Sequence, residues 1–307
     1  MKNVKLSNPS ISTNYTGEFA GEYIGSAILS ANTIANNGIT VMPNVKFKST
    51  LKNVSTTSLV QDATCDFNDV GSVSLSDKVI QVYEKQINKQ LCKTPFESDW
   101  EAVLMGYSAF DEIPAKFSDF FIARILKQLA LDTESYIWNL ADGLPYLLAD
   151  DGAHIMTYSA VNASNVIEKL GEAVDNIDPA YYGREDLNLY VSQNVAKAYV
   201  RALGGFSVLA TSNSGVDTKG TTWYNGGGLT FDGVKIFVAN GLGTNGIVAS
   251  TVENLYFGTG LLDDANLVKT IDMADIDGSK NVRFISRFTR GLQVGFGAGS
   301  VVHANFD

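Results

Sequence analysis

The sequence predicts an α+β fold that does not complete its own burial. Three observations predict it: an uninterrupted amphipathic helical stripe over 114–141, a β-patterned stretch over 39–95 with little apolar surface for a core, and a low charge content. Of 307 residues, 45% are hydrophobic, which excludes a disordered chain, but only 18% are charged, against roughly 25% in an average globular protein. Interface cores are depleted in charge, so such a surface fits burial against other subunits. The length corresponds to one large unit or two intertwined ones.

Residues 1–16 are rich in Asn, Ser and Thr, contain Pro9 and lack periodicity, which predicts an extended arm. Over 17–37, Phe19, Tyr23, Ala27, Ala31 and Ile34 share one helical face, closed by Asn36, Asn37 and Gly38. From residue 39 the period changes. Ile39, Val41, Val45, Phe47 and Leu51 alternate with polar residues, and Val73, Leu75, Val79, Ile80 and Val82 repeat the pattern after a Ser/Thr-rich stretch. This predicts a long two-stranded excursion. An isolated hairpin is marginal in water, so it needs a surface to lie on.

Pro114 suits the first position of a helix. Phe117, Phe121, Ile125 and Leu129 follow at steps of four, and Tyr136, Ile137 and Leu140 extend the stripe to Gly143. At full length this spine would measure roughly 40 Å. Over 144–265 the pattern is mixed: helices are predicted at 163–175 and 192–203, and strands at 187–191, 234–239 and around 247–257. The last forty residues read as strands. Phe284 and Phe288 point one way and Arg283 and Arg287 the other; Leu292, Val294 and Phe296 read as a further strand.

The net charge is −10 with a pI near 4.7, so the broad basic footprint of a nucleic-acid binder is absent. Residues 39–95 are the one net-positive segment, with seven lysines against five acids. An arm of opposite sign to the body can dock on a neighbouring copy, with Lys46, Lys48, Lys52, Lys78 and Lys85 as contacts; lysines also blunt strand edges in solution. Cys65 and Cys92 form no CxxC or zinc pattern, and a reduced, cytoplasmic setting is expected. No stretch approaches 18 consecutive apolar residues.

Catalytic motifs are sparse. His154 and His303 are the two histidines, and His154 follows Asp150 and Asp151; a lone histidine in a polar turn needs no catalytic role. Residues 241–246 read GxGxxG, with Asp263 and Asp264 about 20 residues on, the nominal dinucleotide spacing. That site needs a helix after the third glycine, and here β-branched Ile247, Val248, Thr251 and Val252 follow. A turn between strands fits better. Asp275, Asp277 and Gly278 lack the remaining ligands of a calcium loop and read as a turn.

Three local strings carry a likeness. The first is Ile87-Asn88-Lys89-Gln90-Leu91-Cys92-Lys93 with Phe96 and Trp100-Glu101-Ala102. The second is Ile113-Pro114-Ala115-Lys116-Phe117. The third is Asn254-Leu255-Tyr256-Phe257-Gly258-Thr259-Gly260-Leu261. In this order the chain resembles the major capsid proteins of tailed bacteriophages, which have the Hong Kong 97-type fold, and among them the coat proteins of crAss-like and related phages.

The resemblance implies an N-arm with the N-terminal helix (1–38), an extended β loop or E-loop (39–95), a peripheral or P domain with the spine helix (96–143), an α/β axial or A domain (144–265), and closing P-domain strands (266–307). It implies assembly contacts at Asp111, Glu112, Arg283 and Arg287 in the P domain, beside the E-loop lysines. It implies a non-enzymatic coat protein, with no catalytic, cofactor or metal site, that assembles into hexamers and pentamers of an icosahedral shell. The implied partners are further copies of the chain, a scaffold, a portal, minor or decoration capsid proteins, and packaged DNA that is enclosed without specific binding; no membrane is involved. The implied location is the virion capsid, assembled in the host cytoplasm. Some relatives carry an N-terminal scaffolding extension, whereas this sequence starts at an arm-like segment, so a separate scaffold or a mature form is expected. No Lys–Asn pair is marked for crosslinking. The alternatives are an encapsulin-like cargo shell, another virion component, or a nucleotide-dependent enzyme using 241–246.

Overall fold

The structure, a computed structural model, describes residues 14–15, 28, 30–57, 59–63, 65, 69–92, 115–203, 228–260 and 267–306. Most of the expected arm, the expected helix before residue 28, and Asp111 and Glu112 lie outside the described residues. The elements begin with β1 (Asn14–Tyr15), α1 (Asn32–Ala35), β2 (Thr40–Met42), β3 (Lys48–Thr56), β4 (Val73–Gln81) and β5 (Tyr83–Cys92). Then come α2 (Ala115–Ile137), α3 (Leu144–Asp150), β6 (His154–Ile155), α4 (Val166–Asp175), β7 (Leu187–Val191) and α5 (Gln193–Ala202). The chain continues through β8 (Thr230–Phe231), β9 (Val234–Val238), β10 (Ile247–Thr251), β11 (Leu255–Thr259) and β12 (Leu267–Asp272). It closes with α6 (Ala274–Asp277), β13 (Asn281–Val294) and β14 (Val301–His303).

Among the described residues the strands form three sheets. In the first, β13 is central: β12 and β11 pair along one side and β5 along the other, with β1 beyond β12 and β2 beyond β11. The second runs β6-β14-β10-β7-β9-β8. The third is the two-stranded β3–β4 hairpin.

Alternation assigns each side chain of the second sheet to one of two cores. Leu187, Leu189, Val191, Ile247, Ala249 and Val301 face α4 and α5. Tyr190, Val248 and Val302 join the other core, with Leu129, Ile137 and Trp138 of the α2 region. Every residue of β7 and β10 is buried, as expected for strands covered on both faces. The 23-residue α2 spans ~35 Å. It also covers the first sheet, whose Phe284 and Phe288 are buried in the same core.

Two sequence expectations change. Leu292 and Val294 do not start a new strand; they continue β13, which runs unbroken for 14 residues. Gly291 reads as a break in sequence, but it is a close approach: a Cβ there would stand 2.1 Å from the Gln81 carbonyl oxygen. The expected strand around 247–257 is two strands, because a 3-10 turn over Val252–Asn254 passes the chain from the second sheet to the first. Asn254 makes that passage. Its Nδ2 donates to the Phe296 carbonyl at 2.7 Å and its Oδ1 accepts the Phe296 N–H at 2.8 Å, so a side-chain amide stands in for a ladder pair.

Candidate assembly interface

The root of the hairpin is fastened to its own body. Ile80 and Val82 are buried, seated over Gly258 of β11, where a Cβ would come within 2.9 Å of Ile80 Cδ1. Gln293 donates to the Val79 carbonyl at 2.9 Å, and the Val82 N–H donates to the Phe47 carbonyl at 3.1 Å. Lys78 forms an ion pair with Asp151 of the same chain, and Asp151 also accepts the Gly297 N–H.

Beyond the root, the two faces of the hairpin differ. Ser49, Leu51, Asn53, Lys78 and Ile80 share one face, and each is buried or half-buried against the body. The other face carries Lys48, Thr50, Lys52, Val54, Val73, Leu75, Asp77 and Val79, all exposed. Four of these are large and apolar: Val54 at 56%, Val73 at 59%, Leu75 at 69% and Val79 at 43% exposed. Val54 and Leu75 lie directly opposite each other in register. Fully burying such side chains stabilises by roughly 1.5–3 kcal/mol each, and nothing among the described residues of the chain covers them.

The structure therefore separates the five lysines expected as contacts. Lys46, Lys48 and Lys52 are exposed on or beside the hairpin. Lys78 is engaged with Asp151. Lys85 is not on the hairpin; it lies on β5, opposite Phe288 in the first sheet. Arg283 and Arg287 are exposed on the face of β13 away from α2. Arg283 Nε donates to Gln90 Oε1 at 2.8 Å, and Arg287 stands 3.8 Å from Glu84. The signal for the apolar stripe in the sequence is the alternation of Val73, Leu75 and Val79 with polar residues.

The glycine motif and the histidines take structural roles. Gly241 packs against α2, where a Cβ would lie 2.2 Å from the Glu134 carbonyl oxygen. Strand β10 follows the motif, antiparallel to β7, in place of the helix a dinucleotide site requires. Asn245 adopts a positive φ of 65°, and its Oδ1 accepts from Asn194 Nδ2 and the Val161 N–H. His154 is exposed beside an open groove of about 760 Å³ that Asp175 and Asp178 also line. No group of three or more His, Cys, Asp or Glu placed to hold a metal occurs among the described residues, and none of their helices is long and apolar enough to cross a membrane.

His303 is fully buried and stacks on Tyr158. Its ring nitrogens contact the Asn245 carbonyl at 2.9 Å through Nδ1 and the Ser159 N–H at 3.2 Å through Nε2. This pattern requires a neutral ring protonated at Nδ1. Burial lowers its pKa below the ordinary 6.5, opposed by the bond to Asn245, with Lys169 lowering it further and Glu172 raising it. The unfolded chain thus takes up the proton first. Stability from this site is complete above pH ~6.5 and falls as the pH drops from there through the lowered native value. Urea melts at pH 7.5 and pH 5 check this: His303→Asn is expected to flatten the pH dependence, and an unchanged slope refutes the assignment.

No family model matches the sequence, and no curated protein does. Solved structures match across nearly the whole chain. A chain of the satellite phage P4 procapsid, which includes size determination (Sid) protein, superposes with a TM-score of 0.55 at 12% identity, covering 92% of this chain and 98% of its own. A chain of the capsid of Myoviridae phage XM1 gives 0.53 at 12%, covering 89% and 92%. The virus-like particle from Pyrococcus furiosus gives 0.51 at 13%, covering 94% and 98%. The chain has the α+β fold of Hong Kong 97-type capsid proteins.

Proposed function

We propose that this chain is the major subunit of an icosahedral viral shell, assembling through hexamers and pentamers around packaged DNA. The observation that carries the reading is the hairpin: on a fold shared with procapsid and capsid chains, it turns all four of its large exposed strand residues away from its own body. A sister subunit supplies the missing cover, and hydrophobic burial drives the association. Lys48 and Lys52 lie on this face and Lys46 beside it, and they steer its approach to an acidic neighbour. In this reading residues 1–38 are the N-arm, 39–95 the E-loop, 96–143 and 266–307 the P domain, and 144–265 the A domain. Asp111, Glu112, Arg283 and Arg287 serve P-domain contacts. A scaffold, a portal and minor or decoration capsid proteins complete the particle, which assembles in the host cytoplasm. The subunit works by packing and not by catalysis.

Negative-stain imaging of the purified chain tests the proposal. Closed particles of uniform size are expected; a chain that stays monomeric at every concentration refutes it. The likeness to the virus-like particle favours a second reading, a cargo shell. Nuclease-resistant DNA in particles from virus-producing cells decides for the genome shell.

A further inference from the structure

Residues 156–162 leave β6 and run to the turn before α4 without regular structure. They form a strap across the end of the second sheet where β14 finishes and β10 starts. Met156 and Val161 are buried in the core beneath it, whereas Thr157, Tyr158, Ala160 and Asn162 are exposed. With so little apolar burial, the position of the strap rests on polar contacts.

His303 and Asn245 make the central ones. His303 Nε2 accepts the Ser159 N–H, and Asn245 Oδ1 accepts the Val161 N–H at 3.2 Å. Tyr158 stacks on the His303 ring with centroids 5.4 Å apart, and its hydroxyl accepts from Asn245 Nδ2 at 3.3 Å. Nδ1 of the same ring donates to the Asn245 carbonyl, so the two anchors also hold each other. The Ser159 hydroxyl is buried and has no hydrogen-bond partner.

The anchor works in one charge state. A protonated imidazole is a donor at both nitrogens, so its Nε2–H would point at the Ser159 N–H, donor against donor. A buried charge without an acceptor is costly, and the contact is relieved only when Ser159 withdraws. The charged groups facing the ring do not offset this. Lys169 and Glu172 of α4 act on it in opposite senses and pair with each other at 2.7 Å. The glycine turn and α5 present neutral Asn245 and Asn194, and the Tyr158 phenol carries no charge in acid.

We propose that the 156–162 strap is a proton-operated latch, closed on the neutral His303 ring and released from it when the imidazole gains its second proton. One proton then uncovers Met156, Val161 and the end of the second sheet. The latch is built from contacts within one chain and stands independently of the shell reading.

Hydrogen exchange of the purified full chain tests it, followed peptide by peptide at pH 7.5 and pH 5 and corrected for the intrinsic effect of pH. The open strap leaves His303 at the ordinary 6.5, so a closed state that takes no proton would give about 30-fold more opening at pH 5. A loss of protection of about tenfold is expected over 156–162, with β7 and β10 unchanged. His303→Asn keeps a neutral amide at both pH values and is expected to remove the response. His154→Asn, at the exposed histidine of β6, is expected to preserve it. Should His303→Asn fail to fold, the wild-type profile decides, because the loss must follow a single proton with a midpoint below 6.5. Unchanged protection at pH 5, an equal loss across β7 and β10, or a response that survives in His303→Asn overturns the latch.

Discussion

Val54→Asp combined with Leu75→Asp is expected to abolish particles while leaving a folded monomer. The two side chains face each other across the hairpin and are 56% and 69% exposed. Surface substitutions of this kind change stability by about 0.5 kcal/mol or less, so the melt of the unassembled chain should barely move. In a shell the same positions meet a neighbour, and an unpaired carboxylate buried there costs several kcal/mol. At about 1.4 kcal/mol per tenfold, two such penalties lower association by well over ~100-fold, and the loss recurs at every copy. Asn53→Asp with Ser76→Asp is the control, because this pair lies opposite in register on the other face. It changes the same strands by the same charge and is expected to act far more weakly. Sedimentation and negative stain read both variants. Normal particles from the first pair, or equal loss from both, would mean that the outward face is not the contact.

The second large effect concerns the fold and not assembly. Glu134 of α2 is 4% exposed, and Thr33 and Trp138 are fully buried. Glu134 Oε2 accepts the Thr33 N–H at 2.8 Å, and Oε1 accepts the Thr33 hydroxyl at 2.6 Å. The same hydroxyl accepts the Trp138 Nε1–H at 2.7 Å. The segment around α1 is thereby tied to the long helix. Asn32 Nδ2, donating to the Val238 carbonyl at 2.8 Å, and the Tyr190 hydroxyl, donating to the Gly38 carbonyl, tie it also to the second sheet. Glu134→Ala strands buried donors and leaves a cavity, an expected cost of about 3–4 kcal/mol. Total stabilities are only about 5–15 kcal/mol, so the loss is visible by urea denaturation. Measured in the Val54→Asp, Leu75→Asp background, it is free of any contribution from assembly. A loss under ~1 kcal/mol would show that the network is not a joint.

Much of the fold was legible because its elements are locally periodic. The four-residue steps through Ile125 and Leu129 marked α2, which ends at Ile137, a turn before the predicted stop. The strand at 187–191 was read at its observed bounds, and the opposed faces of Phe284 and Arg283 follow from alternation alone. Helix α3 went unread because its seven residues are too short to show a period. Glu134 went unread because its partner Thr33 is 101 residues away, and nothing in either neighbourhood announces the other. The sequence context places the 241–246 glycines in a turn, but the reason for Gly241, the α2 backbone against it, is a long-range fact.

The hairpin shows where local and long-range information divide. Alternation in the sequence puts Val73, Leu75 and Val79 on one face of β4 with Ser76 and Lys78 on the other, and Val54 and Asn53 on opposite faces of β3, since strand geometry has a period of two; the pairing of Val54 with Leu75 joins the two apolar sets. Alternation is symmetric, however, and does not choose which face meets the body. That choice was made at the root, where Ile80 seats over Gly258 and Lys78 reaches Asp151. With those side chains turned inward, the pleat obliges the apolar stripe to turn outward.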